Sequence, residues 1–308
     1  MRIQYSIVIP TCNRSEYLEI CCKAIREQIQ AEKSVEVIVV DDGSEEITAH
    51  HNSQICKRFG FTYLYQENKG MAVARNSGVS ESKGDWIIFL DDDVLIADNW
   101  FGVMRTVLSS QAKTVVGVEG MVEGSGNGVW DREVQNLKGG AFLTCHLAVR
   151  GDVLNEISGF DPEFERLGPY CEDHELAARL LKKGEIIFAS SLKVTHLPRK
   201  VELLKYLITA PKRIRGLLKA DLYFYRKHPD QYRHFRHAHT FLGTLLSVLF
   251  KNVFKSLRRR NIGRIISNPL QSIVLVIAAS IEQLYSWFLL FELLKFNRNL
   301  LMNQREQV

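Results

Sequence analysis

What this chain lacks narrows it first. Among its six cysteines, Cys12, Cys21, Cys22, Cys56, Cys145 and Cys171, no Cys-x-x-Cys pair occurs. No stretch at the N-terminus reads as a signal peptide, since an apolar strand begins almost at once, at Tyr5. Together these absences predict a reduced, cytosolic compartment in which the cysteines serve as small hydrophobes. No internal repeat or low-complexity segment is present, which leaves out solenoids and biased tails. No glycine falls between Thr11 and Ser15, which disfavours a glycine-rich phosphate loop after the first strand.

What is present suffices for a large core. Of 308 residues, 46% are hydrophobic and 24% charged, enough for one large domain with an appendage or for two domains. The net charge of +5 conceals a division. Residues 201–308 hold 18 Lys and Arg against 6 Asp and Glu, whereas residues 1–200 hold 22 against 29. A basic segment of this kind points to an anionic surface, either nucleic acid or phospholipid headgroups. We therefore place a boundary at residue 200.

The first part alternates strand and helix. Apolar strands are predicted over 5–10, 35–40, 61–65 and 86–90, with helices over 15–29, 45–59 and 97–110 and a small-residue helix from Gly70 to Gly78. This alternation predicts a parallel sheet with right-handed crossovers. Further strands are expected at 115–118, 141–149 and 186–189, and an amphipathic helix over 172–183. Beyond 200 only helices are expected. The run 241–254 is strongly apolar. The run 270–291 is long enough to span a bilayer, its only charge being Glu282. Glu282 and Gln283 near its middle argue against a lipid-exposed span, so an interfacial or hairpin arrangement stays open.

The most informative stretch is Trp-Ile-Ile-Phe-Leu-Asp-Asp-Asp at 86–93, where a buried strand ends in three adjacent carboxylates. A solvated acidic turn and a site for a hard divalent cation such as Mg²⁺ or Mn²⁺ are both open there. The second strand likewise ends in Asp41 and Asp42. In a parallel sheet both clusters, with Thr11, lie on one edge, beyond the carboxyl ends of the strands where ligands bind. Glu172 and Asp173 open a helix, where carboxylates are favoured by the dipole alone. The other reading is a general base held near an electrophile.

Six motifs in order carry a resemblance. Ser-Ile-Val-Ile-Pro-Thr-Cys-Asn-Arg (6–14), Val-Ile-Val-Val-Asp-Asp-Gly-Ser (37–44), the segment 68–78 with Ala-Arg-Asn at 74–76, Phe-Leu-Asp-Asp-Asp (89–93), Gly-Phe-Asp (159–161) and Glu-Asp-His-Glu-Leu-Ala-Ala-Arg (172–179) resemble the family 2 glycosyltransferases. The resemblance covers roughly 5–200. It implies a GT-A fold, a Rossmann-like, mostly parallel sheet flanked by helices, and an inverting transfer of a sugar from a nucleoside-diphosphate donor, most simply a UDP-sugar. By position it implies that Thr11 and Asp42 touch the base and ribose and that Arg75 lies near the nucleotide. Asp91 and Asp92 would face the ribose and sugar. Asp93 would bind the Mn²⁺ or Mg²⁺ on the diphosphate, and Asp173 would be the catalytic base. His196 sits where some members supply a metal ligand, an ordinary strand-end histidine being equally open.

With the basic, apolar second part, the expectation is a GT-A catalytic domain over 1–200 and a helical membrane-associated region over 201–308. That region would hold the enzyme at the cytoplasmic face of the cell membrane, near a lipid-linked or surface-polysaccharide acceptor. A nucleotidyltransferase is disfavoured by the missing glycine. A non-catalytic scaffold would be expected to have lost an acidic motif, and none is missing. RNA binding is disfavoured because no nucleic-acid recognition module is present. Gly139 and Gly140 could make room for the donor sugar, with a plain turn favoured. Trp130 and Tyr170 could stack on sugar rings, with ordinary packing the default. His228, His234, His237 and His239 read as solvated helix faces.

Overall fold

The computed structural model describes residues 2–125, 131–132, 134–168, 170–200, 203–232 and 235. In chain order the elements are β1 (Tyr5–Thr11), α1 (Ser15–Ile29), β2 (Val35–Asp42), α2 (Glu46–Phe59), β3 (Thr62–Gln66), α3 (Met71–Glu81), β4 (Trp86–Leu90), β5 (Val94–Ile96), α4 (Trp100–Ser109), β6 (Val115–Gly124), β7 (Asp131–Arg132), β8 (His146–Arg150), α5 (Gly151–Glu156), α6 (Glu163–Leu167), α7 (Glu172–Leu180), β9 (Glu185–His196), β10 (Arg199–Lys200) and α8 (Leu203–Lys227). The chain divides into two compact units, Met1–Gly126 with Arg132–Arg199, and Asn127–Asp131 with Lys200–Val308.

An eight-stranded sheet in the order β3-β2-β1-β4-β8-β6-β9-β5 builds the first unit. β1 and β4 are buried along their whole length because both faces are covered, which is why they read as unbroken apolar runs. Alternate residues go to opposite layers. Ile7, Ile9, Val37, Val39, Ile88 and Leu90 pack with Leu18, Cys22 and Ile25 of α1. Val8, Ile87 and Phe89 pack with Leu154, Phe160 and Leu176. The small residues of α3 have a cause: a Cβ on Gly78 would lie 2.4 Å from Cγ1 of Val8, so the helix could not seat on β1.

The sheet is mixed: six of its eight strands run one way, with β8 and β5 against them. β3, β2, β1 and β4 are mutually parallel, as the alternation predicts. β8, however, runs antiparallel to both β4 and β6, and β5 runs antiparallel to β9. Parallel neighbours need a long crossover, usually helical. The connection from β6 to β8 holds no helix among the described residues, so β8 returns the other way. β6 and β9 also run longer than expected. β9 continues past 189 with Leu192, Val194 and His196 buried between more exposed residues, an alternation that bends past a register shift at Gly120 and Met121.

The second unit is described through α8 and the residues just after it. Phe224, Tyr232 and Phe235 are buried there, with Phe224 edge-on to Phe235, and Tyr232 donates to Asp221. No helix among the described residues is long and apolar enough to cross a membrane. The runs 241–254 and 270–291, with His234, His237, His239 and Trp130, lie outside the described residues. His228 is buried beside Phe224, so it is not on a solvated face as expected.

Candidate active site

Parallel pairing of β1 with β2 and with β4 brings Thr11, Asp41, Asp42 and the 91–93 triad to one edge, Thr11 standing opposite Asp41. The neighbouring aspartates then diverge. Asp41 is fully buried and accepts from the Ser44 amide at 2.9 Å, Asn52 Nδ2 at 2.7 Å and the Tyr63 hydroxyl at 2.9 Å. It ties α2 and β3 to the end of β2. Asp42 turns the other way and organises the turn before α3. It accepts from Gln66 Nε2 at 2.7 Å and from the amides of Lys69 and Gly70 at 2.9 and 2.8 Å. Another carboxylate reaches that helix start, Glu165 accepting from the Ala72 amide at 2.7 Å.

The 91–93 triad, in the turn between β4 and β5, also splits. Asp92 points under the edge, where it accepts from Thr11 Oγ1 at 2.7 Å and pairs with Arg14 at 2.8 Å. Burial pushes its carboxyl up to about 7, against the opposing pull of Arg14 and Thr11. Asp91 and Asp93 come together with His196, each offering a ligand atom within 4.8 Å of the others. The register of β5 on β9 sets this, since Val94 stands opposite His196 and the Leu197 amide donates to the Asp93 carbonyl at 2.8 Å.

The donor set fits a divalent cation. Nδ1 of His196 lies 2.9 Å from the Leu197 carbonyl, which can only accept, so Nδ1 carries the proton. Nε2 faces Oδ1 of Asp93 at 3.5 Å, so both can turn to one ion held with Asp91. Two carboxylates and an imidazole suit Mn²⁺, and tolerate Mg²⁺.

Two arginines balance the acidic edge. Arg14, unassigned by the sequence reading, reaches both Asp92 and Asp93, the latter at 3.1 Å. Arg75, buried on α3, donates to Asp91 at 2.9 Å, lies 4.0 Å from Glu172 and stands over the Phe160 ring at 5.6 Å. Burial works against its charge, but Asp91 and Glu172 raise its pKa overall. The Gly-Phe-Asp motif is held to the same helix, because Asn76 exchanges two hydrogen bonds with the backbone of Phe160, each 2.8 Å.

α7 brings in the last acidic pair. Cys171 precedes it in the left-handed region, φ 69°, and Asp173 accepts from the His174 amide at 2.7 Å. Glu172 is the member drawn toward Arg75. Burial, reinforced by the adjacent Asp173, pushes its carboxyl up to about 7.

Two buried groups escape sequence reasoning because their partners are remote in the chain. Glu119 on β6 accepts from Asn136 Nδ2 and from the amides of Gly140 and Phe142, at 3.0, 2.9 and 2.6 Å. Gly139 and Gly140, both at φ 78°, therefore form a fixed turn ahead of Cys145. His146 is a fully satisfied neutral imidazole, accepting from Trp100 Nε1 at 2.9 Å and donating to the Met121 carbonyl at 3.1 Å. Burial lowers its pKa to about 4. The folded protein thus refuses a proton that the unfolded chain takes up below about 6.5. Stability from this group is whole above about pH 6.5 and declines as pH falls toward 4, by ~2 kcal/mol at pH 5. Urea unfolding at pH 7 and 5 of wild type and His146→Gln measures it. The difference between the two proteins is the relevant quantity, because the raised carboxyls of Asp92 and Glu172 act in the opposite direction. Equal acid sensitivity in both proteins would refute it.

The comparisons agree with this architecture. The model of "Glycosyl transferase family 2" matches residues 6–157. Glycosyltransferase GlyG of Streptococcus pneumoniae serotype 4 is 34% identical over 119 residues, covering 36% of this chain and 38% of that protein. AglE of Haloferax volcanii is 30% identical over 118 residues, with the same two coverages. GlyA of S. pneumoniae is also 30% identical over 118 residues, which are only 16% of its length. The chain thus matches well under half the length of these curated relatives. Among solved structures, S. aureus TarS 1–349 in complex with UDP-GlcNAc superposes with a TM-score of 0.58 at 17% identity, over 82% of this chain and 76% of that one. The mannosyltransferase PcManGT from Pyrobaculum calidifontis, in complex with GDP-Man and Mn²⁺, gives 0.53 at 15% identity, over 92% and 88%. At such identities the likeness is one of fold, an α/β GT-A-like architecture with a mixed sheet. Residues 6–157, just under half of this chain, match glycosyl transferase family 2, and with the curated relatives they support a family 2 glycosyltransferase.

Proposed function

We propose that this protein is an inverting, metal-dependent glycosyltransferase that moves a sugar from a nucleoside-diphosphate donor to an acceptor hydroxyl. The observation that carries this reading is the meeting of Asp91, Asp93 and His196 on the sheet edge that Asp42 and Arg75 share. Asp42 and the turn it organises lie where the nucleoside would sit. Arg75 holds Asp91 in place and brings Glu172 toward the same edge. When bound by Asp91, Asp93 and His196, Mn²⁺ or Mg²⁺ supplies positive charge to the leaving diphosphate.

The acceptor oxygen attacks the anomeric carbon from the face opposite the diphosphate. A new carbon–oxygen bond forms as the bond to the phosphate oxygen breaks, and Asp173 takes the hydroxyl proton. One base suffices because no glycosyl-enzyme intermediate forms, unlike the facing carboxylate pair of retaining hydrolases. The donors held by the two structural neighbours, UDP-GlcNAc and GDP-Man, support a nucleotide-sugar, and we favour a UDP-sugar. The basic second part supports a lipid-linked or nascent surface-polysaccharide acceptor at the cytoplasmic face of the membrane.

A screen of nucleotide-sugars for release of nucleoside diphosphate, with Mn²⁺, with Mg²⁺ and with a chelator, tests the reading. We expect release from one donor class, lost on chelation. Metal-independent release would remove the cation from the proposal, and no release from any donor, with candidate lipid and glycan acceptors supplied, would remove the transferase.

A further inference from the structure

Five of the seven cations of α8 share one side, with Arg213 and Lys227 lying beyond it. Lys205, Lys212, Arg215, Lys219 and Arg226 are all exposed, and at 3.6 residues per turn they fall within one arc of about 80°. Ile208 lies in the same arc and is 69% exposed. The buried residues Leu218, Ala220 and Phe224 lie elsewhere on the helix. The helix contains one carboxylate, Asp221, and it is buried and bonded to Tyr232, so it does not neutralise the stripe. None of the five cations forms an ion pair among the described residues.

We propose that this stripe docks α8 along an anionic phospholipid headgroup layer. The inference rests on the membrane reading above and assigns its contact surface. The five charges recur along α8 from Lys205 to Arg226 and face one way, which matches a flat anionic layer. Ile208, apolar and exposed amid the cations, suits the headgroup boundary better than a nucleic-acid groove. The aromatic of α8 within the arc, Tyr223, shares the azimuth of Lys205 and is half-buried with Lys227 over its ring at 5.9 Å, so its face is not open to a base. The stripe also leads into the apolar runs 241–254 and 270–291 of the sequence.

Flotation of the full chain with phosphatidylcholine vesicles, with and without phosphatidylserine, tests this. The comparison is wild type against Lys212→Glu/Arg215→Glu/Lys219→Glu, with the corresponding Gln triple variant in case charge reversal impairs folding. The expected result is salt-sensitive partition of wild type onto anionic vesicles, reduced at least tenfold in the Glu variant and less in the Gln variant, with melting temperature unchanged. Equal binding by wild type and both variants would overturn the stripe while leaving the membrane reading intact. A wild type that ignores vesicles of both compositions would overturn both. Tighter, stripe-dependent binding to an RNA homopolymer than to anionic vesicles at the same salt would reassign the surface to nucleic acid.

Discussion

Asp93→Ala is expected to abolish cation-supported nucleotide binding. Even loss of a group behind a metal ligand commonly costs 10- to 100-fold in affinity. Asp93 is placed as a direct ligand, one of three protein donors brought together at the site. Its loss should therefore lower Mn²⁺ affinity by about 100-fold or more. Calorimetry with UDP gives a clean reading, because binding without cation provides an internal reference that the substitution should leave unchanged. Retention of Mn²⁺-supported binding would remove Asp93 from the cation site. Loss of binding in both conditions would mean the edge itself had collapsed, as it would if Arg14 depended on Asp93 for its position.

Asp173→Asn should separate binding from chemistry. Asparagine keeps an oxygen where Asp173 accepts from the His174 amide, so the first turn of α7 is retained. It cannot take a proton. Donor affinity should hold while turnover falls at least about 10²-fold, the usual scale for a lost general base. The geometry adds a rival that the sequence does not rank. Glu172 is next in the chain, paired toward Arg75, and held at about 7, a proton affinity well suited to a base at neutral pH. Glu172→Gln, assayed alongside, decides between them. Near-normal turnover in Asp173→Asn with a large loss in Glu172→Gln would move the base one residue back.

The parallel half of the fold was legible because β1, β2 and β4 are covered on both faces, leaving apolar runs at 5–10, 35–40 and 86–90. In the second half the expected strands at 115–118, 141–149 and 186–189 and the helix at 172–183 fall on β6, β8, β9 and α7, but their lengths and directions were not legible. β9 is exposed on alternate residues and is defined by pairing with β6 and β5, strands remote in sequence. The acidic clusters were visible as composition, but their division was read incompletely. Period-two alternation separates Asp41 from Asp42 at the end of β2, whereas Asp91–Asp93 lie in the turn after β4, where Asp92 meets Thr11 and shares Arg14 with Asp93. The alternation was available from the sequence. The partners of Arg14 and Glu119 were not, because each is fixed by tertiary contacts between elements far apart in the chain.

The pairing of β5 with the end of β9 sets an order of assembly. During synthesis the three adjacent carboxylates are made before the histidine that completes their cluster. Their counter-charges, Arg14 and Arg75, stand earlier in the chain than the triad itself. A nascent chain thus carries its own neutralising cations before it exposes the aspartates, and β1, α1, α3 and β4 can close around them. The imidazole arrives only with the last residue of β9. In the proposed site, cation capture by the complete donor set would consequently be a late event, one that reports that the final long strand has paired.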